Sequence, residues 1–220
     1  MINDKHLDLL AATQITALIG NNQYLPFSNS SLRYASIAVL LNDVVINQRK
    51  FLVEFGSGLT TVLLCKLALQ NKLDDFYILS IDENEGWIKV LEKIMSDMGA
   101  EKHVQLIHAP LRPNNLSKES LDWYDTGILS QVLKEINKPI DSVLVDGPSA
   151  WHEKIQLSRF PALPFLKNYM SENSIIFLDD SNREGEKQII KEWQTLGMKH
   201  IIHNDSFTSF YKGNMFNVSI

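Results

Sequence analysis

From Lys50 onward, short apolar runs alternate with stretches of helical periodicity, and this alternation constrains the fold more than any other feature. Phe51-Leu52-Val53-Glu54 reads as a short buried strand and residues 59–70 as a helix. Residues 76–81 give a second strand, followed by a helix over 86–98 that Gly99 terminates. Three further strands are expected at 104–108, 141–145 and 174–178, a helix at 184–196, and a closing strand pair at 199–203 and 206–211. Strands separated by helices demand right-handed crossovers, and those produce a parallel sheet covered on both faces. The expected class is therefore α/β: a doubly wound, mostly parallel sheet of about seven strands with the last one antiparallel.

Before this core, Leu7, Leu10, Ala11, Ile15, Leu18 and Ile19 recur at helical spacing, and Gly20-Asn21-Asn22 stops the helix. Tyr24-Leu25-Pro26-Phe27 follows as an extended apolar patch, and a second helix is expected over 31–45. Residues 1–49 thus form an N-terminal helical cap on a core of 50–220, all within a single domain of 1–220, since no repeat, low-complexity tract or linker interrupts the chain. In this position the cap serves as a lid or as the contact of a homodimer. Net charge is -5 and no Lys/Arg run is present, so nucleic acid is not an expected partner. The longest apolar stretches fall short of a membrane span, and the first residues lack a secretory pattern. Cys65, the sole cysteine, lies in an apolar helical run and suits a reducing compartment. A cytoplasmic location is the expectation.

The turn after the first strand reads Glu54-Phe55-Gly56-Ser57-Gly58-Leu59-Thr60-Thr61. Glycines here let a ligand approach the backbone, at the carboxyl end of the strands where open parallel sheets bind ligands. The second strand ends in Asp82, an acid placed to accept two ribose hydroxyls. A third glycine, which dinucleotide folds use for close approach to a pyrophosphate, is missing: Leu59-Thr60-Thr61 stands there instead. That favours a nucleoside ligand without a pyrophosphate over NAD or FAD.

With Ser80-Ile81-Asp82 and Trp87, His108-Ala109-Pro110-Leu111, Trp123-Tyr124, Asp146-Gly147-Pro148, Arg159-Phe160-Pro161-Ala162-Leu163 and Leu178-Asp179-Asp180, this turn resembles that of class I S-adenosylmethionine-dependent methyltransferases, in a bacterial branch of that superfamily. The resemblance implies a Rossmann-like core. It implies that Glu54 and the backbone of Gly56, Ser57 and Gly58 hold the methionine part of S-adenosylmethionine, that Asp82 takes the ribose, and that Ala109, Pro110 and Leu111 border the adenine. Asp146 counts among the cofactor-binding residues as well.

Asp146 follows the fourth strand and Asp179-Asp180 the fifth, so neighbouring strands bring three carboxylates to one rim. Like charges so placed call for a balancing cation, proton or basic partner. Oxygen donors on a rigid frame suit Mg²⁺, and the pattern is similar to catechol-type and caffeoyl-type O-methyltransferases, except that Asp180 stands where those families carry Asn. Two alternatives stay open: Asp146 or Asp180 acts as general base without metal, or the carboxylates pair with Arg159 and Arg183 or cap the following helices. His152, in a polar loop after Asp146, is a further candidate base. Trp123 and Tyr124 either wall a ligand pocket or pack beneath a loop. Arg183 and Glu186 are expected to meet at the surface, and His200 and His203 to point to opposite faces of their strand.

The expected activity is methyl transfer from S-adenosylmethionine to a small-molecule acceptor, with an oxygen acceptor favoured by the acidic rim and divalent-metal assistance as one route to its deprotonation. A nucleotide-dependent oxidoreductase on a related scaffold and a non-catalytic S-adenosylmethionine-binding protein are the competing readings.

Overall fold

The computed structural model describes residues 4–20, 24–25 and 27–220. Asn21, Asn22 and Pro26, which the sequence assigns to a helix stop and an extended patch, lie outside the described residues. Helix α1 (Asp4–Ile19) ends at Gly20, whose φ of 70° is the left-handed conformation that closes helices. Helix α2 (Tyr34–Ile46) begins after Arg33 in extended backbone.

The core then runs β1 (Phe51–Phe55), α3 (Leu59–Gln70), β2 (Tyr77–Asp82), α4 (Glu85–Met98), β3 (Val104–His108), β4 (Leu111–Pro113), β5 (Asp122–Tyr124) and α5 (Thr126–Ile136). It continues with β6 (Ile140–Val145), α6 (Ala162–Leu166), β7 (Met170–Asp179), α7 (Glu184–Gln194), β8 (Lys199–Asn204) and β9 (Phe207–Lys212). The sheet has seven strands in the order β3-β2-β1-β6-β7-β9-β8. Strands β3, β2, β1, β6 and β7 are parallel, while β9 runs antiparallel to both β7 and β8. The expected doubly wound, mostly parallel sheet with an antiparallel last strand is what forms. Beyond that expectation, β4 and β5 make a small separate hairpin, and α5 and α6 occupy connections that the sequence left unassigned.

Strand alternation divides the core in two. Leu52, Ile78, Leu144, Ile175 and Phe177 face one side, where α1, α2, α3 and α4 contribute Ile15, Leu40, Leu63 and Leu91. Phe51, Val53, Phe55, Val143 and Ile176 face the other, against Leu129 and Leu133 of α5, Leu163 of α6, and Ile189 and Trp193 of α7. Trp123 and Tyr124 are fully buried on this second side, so they pack beneath the connection. Cys65 is buried in α3. His203 lies between Phe177 and Phe207 on the first side and His200 stacks on Phe210 on the second, opposite faces as the alternation requires. Among the described residues no helix is long and apolar enough to cross a membrane.

Candidate active site

Strand order reverses between β1 and β6, which opens a crevice beyond the carboxyl ends of the strands. Register determines what meets there. Phe55 pairs with Ile81 on one side and Val145 on the other, and Val145 pairs with Leu178. The residues that follow these four, namely Gly56, Asp82, Asp146 and Asp179, therefore emerge at one level along the rim.

Gly56 has φ of 91°, and a Cβ there would stand 2.8 Å from the Gly147 nitrogen. Gly147 in turn would bring a Cβ within 2.8 Å of the Gly56 backbone. Both glycines are thus required by the close passage of the β1 turn over the end of β6, which the Gly147 and Asp146 N–H groups fasten by donating to the Phe55 carbonyl at 2.7 and 2.9 Å. Gly58 differs: its φ of 179° is ordinary extended backbone, and a Cβ would meet nothing within 4 Å. It opens directly onto a cavity at the start of α3.

Glu54 lies beneath this turn and not in the crevice. Its carboxylate is fully buried and accepts hydrogen bonds from Thr60, from Thr61 at 2.5 Å and from Ser80 at 2.6 Å. Burial outweighs these donors and pushes its pKa up to about 7. The hydroxyls of Thr60, Thr61 and Ser80 turn it inward, so it braces the turn from below and lines neither cavity of the crevice. The Ser57 hydroxyl pairs with that of Ser80 at 2.7 Å, and its carbonyl accepts from the Trp87 indole N–H at 2.8 Å.

Asp82 faces the crevice. Its oxygens accept from the Ser57 N–H at 3.1 Å and the Asn84 N–H at 2.8 Å, so each carries one bond and retains acceptor capacity. Burial raises its pKa to about 6. Ala109, by contrast, is sealed in the core with its N–H donated to the Asp82 carbonyl at 2.9 Å, and Pro110 and Leu111 lead half-buried into β4. None of these three lines either cavity of the crevice. Tyr124, also outside both cavities, donates its hydroxyl to Glu83 at 3.2 Å.

Two cavities share the turn. The smaller, about 200 Å³, is largely apolar and lies between the turn, Trp87, Leu91 and Ile94 of α4, and Leu25 and Leu32 of the connection from α1 to α2. The larger, about 570 Å³, is polar and is lined by Asp82, Asp146, Asp179, Asp180, Asn182 and Arg183 together with Ser30, Ser31 and Arg33. Among the described residues Asp146 is the acid that lines both. Arg33 ties the connecting segment down, pairing with Asp8 of α1 at 2.6 Å and with Asp205.

Asp146, Asp179 and Asp180 converge, with one oxygen of each inside a 4.8 Å span. Among them stands Arg159, nearly fully buried. Its guanidinium donates to Asp146 at 3.2 Å, to Asp180 at 3.0 Å and to the main-chain carbonyls of Asp179 and Pro148, each at 3.3 Å. Arg183 adds a second pair to Asp180 at 2.8 Å. Asp180 has φ of 56°, a left-handed conformation that aspartate tolerates better than most residues. The pairing of the acids with Arg159 and Arg183, one of the alternatives the sequence left open, is therefore present. Burial lifts Asp146 to about 6 against the opposing pull of Arg159, and burial plus the neighbouring Asp146 and Asp180 charges hold Asp179 well above the usual carboxylate range.

One candidate base lies outside both cavities, and one surface expectation fails. His152 is exposed and lines neither cavity: its Nδ1 accepts the Lys154 N–H at 3.2 Å, capping a single helical turn. Glu186 is not at the surface but fully buried, 3.6 Å from Arg159, because its place in the first turn of α7 faces the sheet. Its pKa rises to about 7, chiefly by burial.

Comparison with known proteins agrees with this architecture. Among curated proteins none matches the sequence. A Staphylococcus aureus protein assigned as a caffeoyl-CoA O-methyltransferase superposes with a TM-score of 0.59 at 14% identity, covering 95% of this chain and 98% of that one. The O-methyltransferase from Bacillus cereus, solved with S-adenosylhomocysteine, gives 0.54 at 13%, covering 96% and 93%. The Streptomyces achromogenes O-methyltransferase TomG, solved with S-adenosylmethionine, gives 0.55 at 11%, covering 97% and 100%. At these identities the likeness speaks for the fold. The family assignment comes from the sequence itself, in which residues 53–181, more than half of the 220, match the methyltransferase domain, and the chain belongs to that family.

Proposed function

We propose that this methyltransferase binds S-adenosylmethionine in the crevice and methylates an oxygen atom of a small-molecule acceptor. The observation that carries this reading is the shared level of Gly56, Asp82 and Asp146 at the β1–β6 reversal, which sets a ligand-approachable turn, an acid for the ribose and an acid facing both cavities along one line. The solved relatives that hold S-adenosylmethionine or S-adenosylhomocysteine support the cofactor.

The residues fit such a ligand. The open space over Gly58 and the N-terminal end of α3 would receive the methionine carboxylate, since helix N-termini favour anions. Asp82 would accept from the ribose hydroxyls with the capacity its two backbone bonds leave. When bound, S-adenosylmethionine supplies an activated methyl group whose departure leaves a neutral thioether. The protein's part is alignment, worth several kcal/mol, together with removal of the acceptor proton. Asp146 takes that proton: its raised pKa near 6 leaves it ionised at neutral pH yet more basic than a solvated aspartate. The polar larger cavity receives the acceptor, with the segment from α1 to α2 as its cover.

Calorimetric titration with S-adenosylhomocysteine tests the cofactor. Binding in the micromolar range is expected, and Asp82→Ala should weaken it about 10- to 100-fold, the loss of hydrogen bonds to a charged group. Absence of binding, or tight binding of NADH in its place, would sink the reading. With an acceptor in hand, kcat/KM should rise with pH through about 6 as Asp146 ionises, and Asp146→Asn should cost about 10²- to 10⁴-fold in kcat.

A further inference from the structure

The three aspartates of the rim invite a divalent ion, yet the donor set does not fit one. A small hard cation needs its oxygens at about 2.0–2.1 Å in near-octahedral array, and two of the three carboxylates are already bridged by the Arg159 guanidinium. That group cannot swing into solvent. Its side chain is 4% exposed, and Nε and Nη1 are held by the carbonyls of Pro148 and Asp179. Beneath it lies the Glu186 carboxylate, fully buried and without a hydrogen-bond partner, with Arg159 Nη1 3.6 Å away. Displacing the guanidinium would leave that buried group either to take up a proton or to carry its charge uncompensated, and both outcomes cost stability.

We propose that Arg159 is the built-in cation of this site, standing where a divalent metal would otherwise balance the acidic rim. It acts as a positioning residue, holding Asp146 and Asp180 at the cavity wall, and methyl transfer proceeds without metal. Its charge is permanent, and its planar fork meets two carboxylates at once, which a lysine could not reproduce. Arg159 reaches back to Asp146 and forward to Asp180 and Glu186 from a turn between β6 and α6, so one side chain gathers acids from three separate parts of the chain.

The activity consequence rests on the methyl-transfer reading, whereas the cation assignment does not, and the test separates them. Mn²⁺ alone is titrated into the full-length protein, with free ion followed by electron paramagnetic resonance. Wild type should show no stoichiometric site up to millimolar Mn²⁺. Arg159→Met, which keeps bulk but removes charge, should gain a site at least tenfold tighter, and adding Asp146→Asn should abolish it. One Mn²⁺ bound per wild-type chain and weakened by Asp146→Asn would overturn the proposal, as would a folded Arg159→Met protein that binds no more Mn²⁺ than wild type. If Arg159→Met does not fold, the wild-type titration decides alone. Exhaustive chelation should leave methyl transfer unchanged, with loss of activity restored by Mg²⁺ as the contrary result. Failure to bind S-adenosylhomocysteine would strike the cofactor reading and leave the Mn²⁺ result standing.

Discussion

At the scale of single residues, the site is governed by where each acid's charge is compensated. Glu54 shows how far this departs from sequence expectation. An acid at the end of a central strand reads as a ligand contact, but Thr60, Thr61 and Ser80 supply three hydroxyls from inside the turn and draw it into the core. Its pKa of about 7, set by burial, has a definite thermodynamic sign. The folded chain keeps a proton on Glu54 up to about pH 7, while the unfolded chain releases it near 4.5. Between these values the folded state binds more protons, so this residue's contribution to stability declines as pH rises through the window and is flat above it. Glu54→Gln does not titrate. Its melting temperature relative to wild type should therefore rise from pH 5 to pH 8, by the equivalent of about 1–3 kcal/mol. A difference that stays constant over that range would show that Glu54 titrates at its ordinary value.

At the scale of elements, the crossing of the β1 turn over the end of β6 fixes the crevice. Gly147 is the tightest point: a Cβ would collide with the Tyr124 hydroxyl and stand 2.8 Å from Gly56 Cα. Gly147→Ala should lose about 1–3 kcal/mol by overpacking, read as a melting shift of about 2–4 °C per kcal/mol for a chain of this length. Adding Tyr124→Phe should recover only part of the loss, because the contact with the Gly56 backbone remains; full recovery would place the whole conflict at the tyrosine hydroxyl. The same elements show what was legible beforehand. Strands β1 and β6 and the second half of β7 announce themselves as apolar runs because burial on both faces leaves little room for polar residues, while β8 and β9 toward the sheet edge mix apolar with polar side chains. The rim acids follow from strand ends and need only the order of the sheet. Helix α5 does not stand out in the sequence although Leu129, Val132 and Leu133 share a face, since a connection dense in polar residues masks a helix of only 11 residues. Tyr124 was read as open to either role because its hydroxyl meets Glu83, 41 residues earlier, only once the sheet closes. The pairing of Arg159 with the rim acids stands among the sequence alternatives, but its approach to Glu186 does not, because a charged residue in a first helical turn ordinarily faces water.

At the scale of the molecule, the question is whether the N-terminal helices form a separate unit over the core. Their side chains argue for continuity. Ala11, Ile15 and Leu18 of α1 and Ile37, Val39, Leu40, Leu41 and Val44 of α2 belong to the same buried cluster as Leu52, Leu144 and Phe177 of the sheet. Lys66 and Gln70 of α3 donate to the carbonyls of Ile19 and Leu18 at 3.1 and 2.9 Å, closing the end of α1 onto the core. A cap whose side chains share a buried cluster with the sheet cannot melt without exposing it, so calorimetry should record a single transition for residues 1–220. Two transitions would show that the cap folds by itself. If the crevice holds the cofactor between the core turn and Ser30 and Ser31 of the covering segment, ligand should stabilise both parts together. At S-adenosylhomocysteine concentrations 100-fold above its Kd, mass action adds about 2.7 kcal/mol, which raises the one transition by about 5–11 °C for a chain of this size. A ligand-induced rise that split the transition in two would mean that the cofactor grips the core alone, and the N-terminal segment would then owe its position to Arg33 and its aspartate partners rather than to anything bound beneath it.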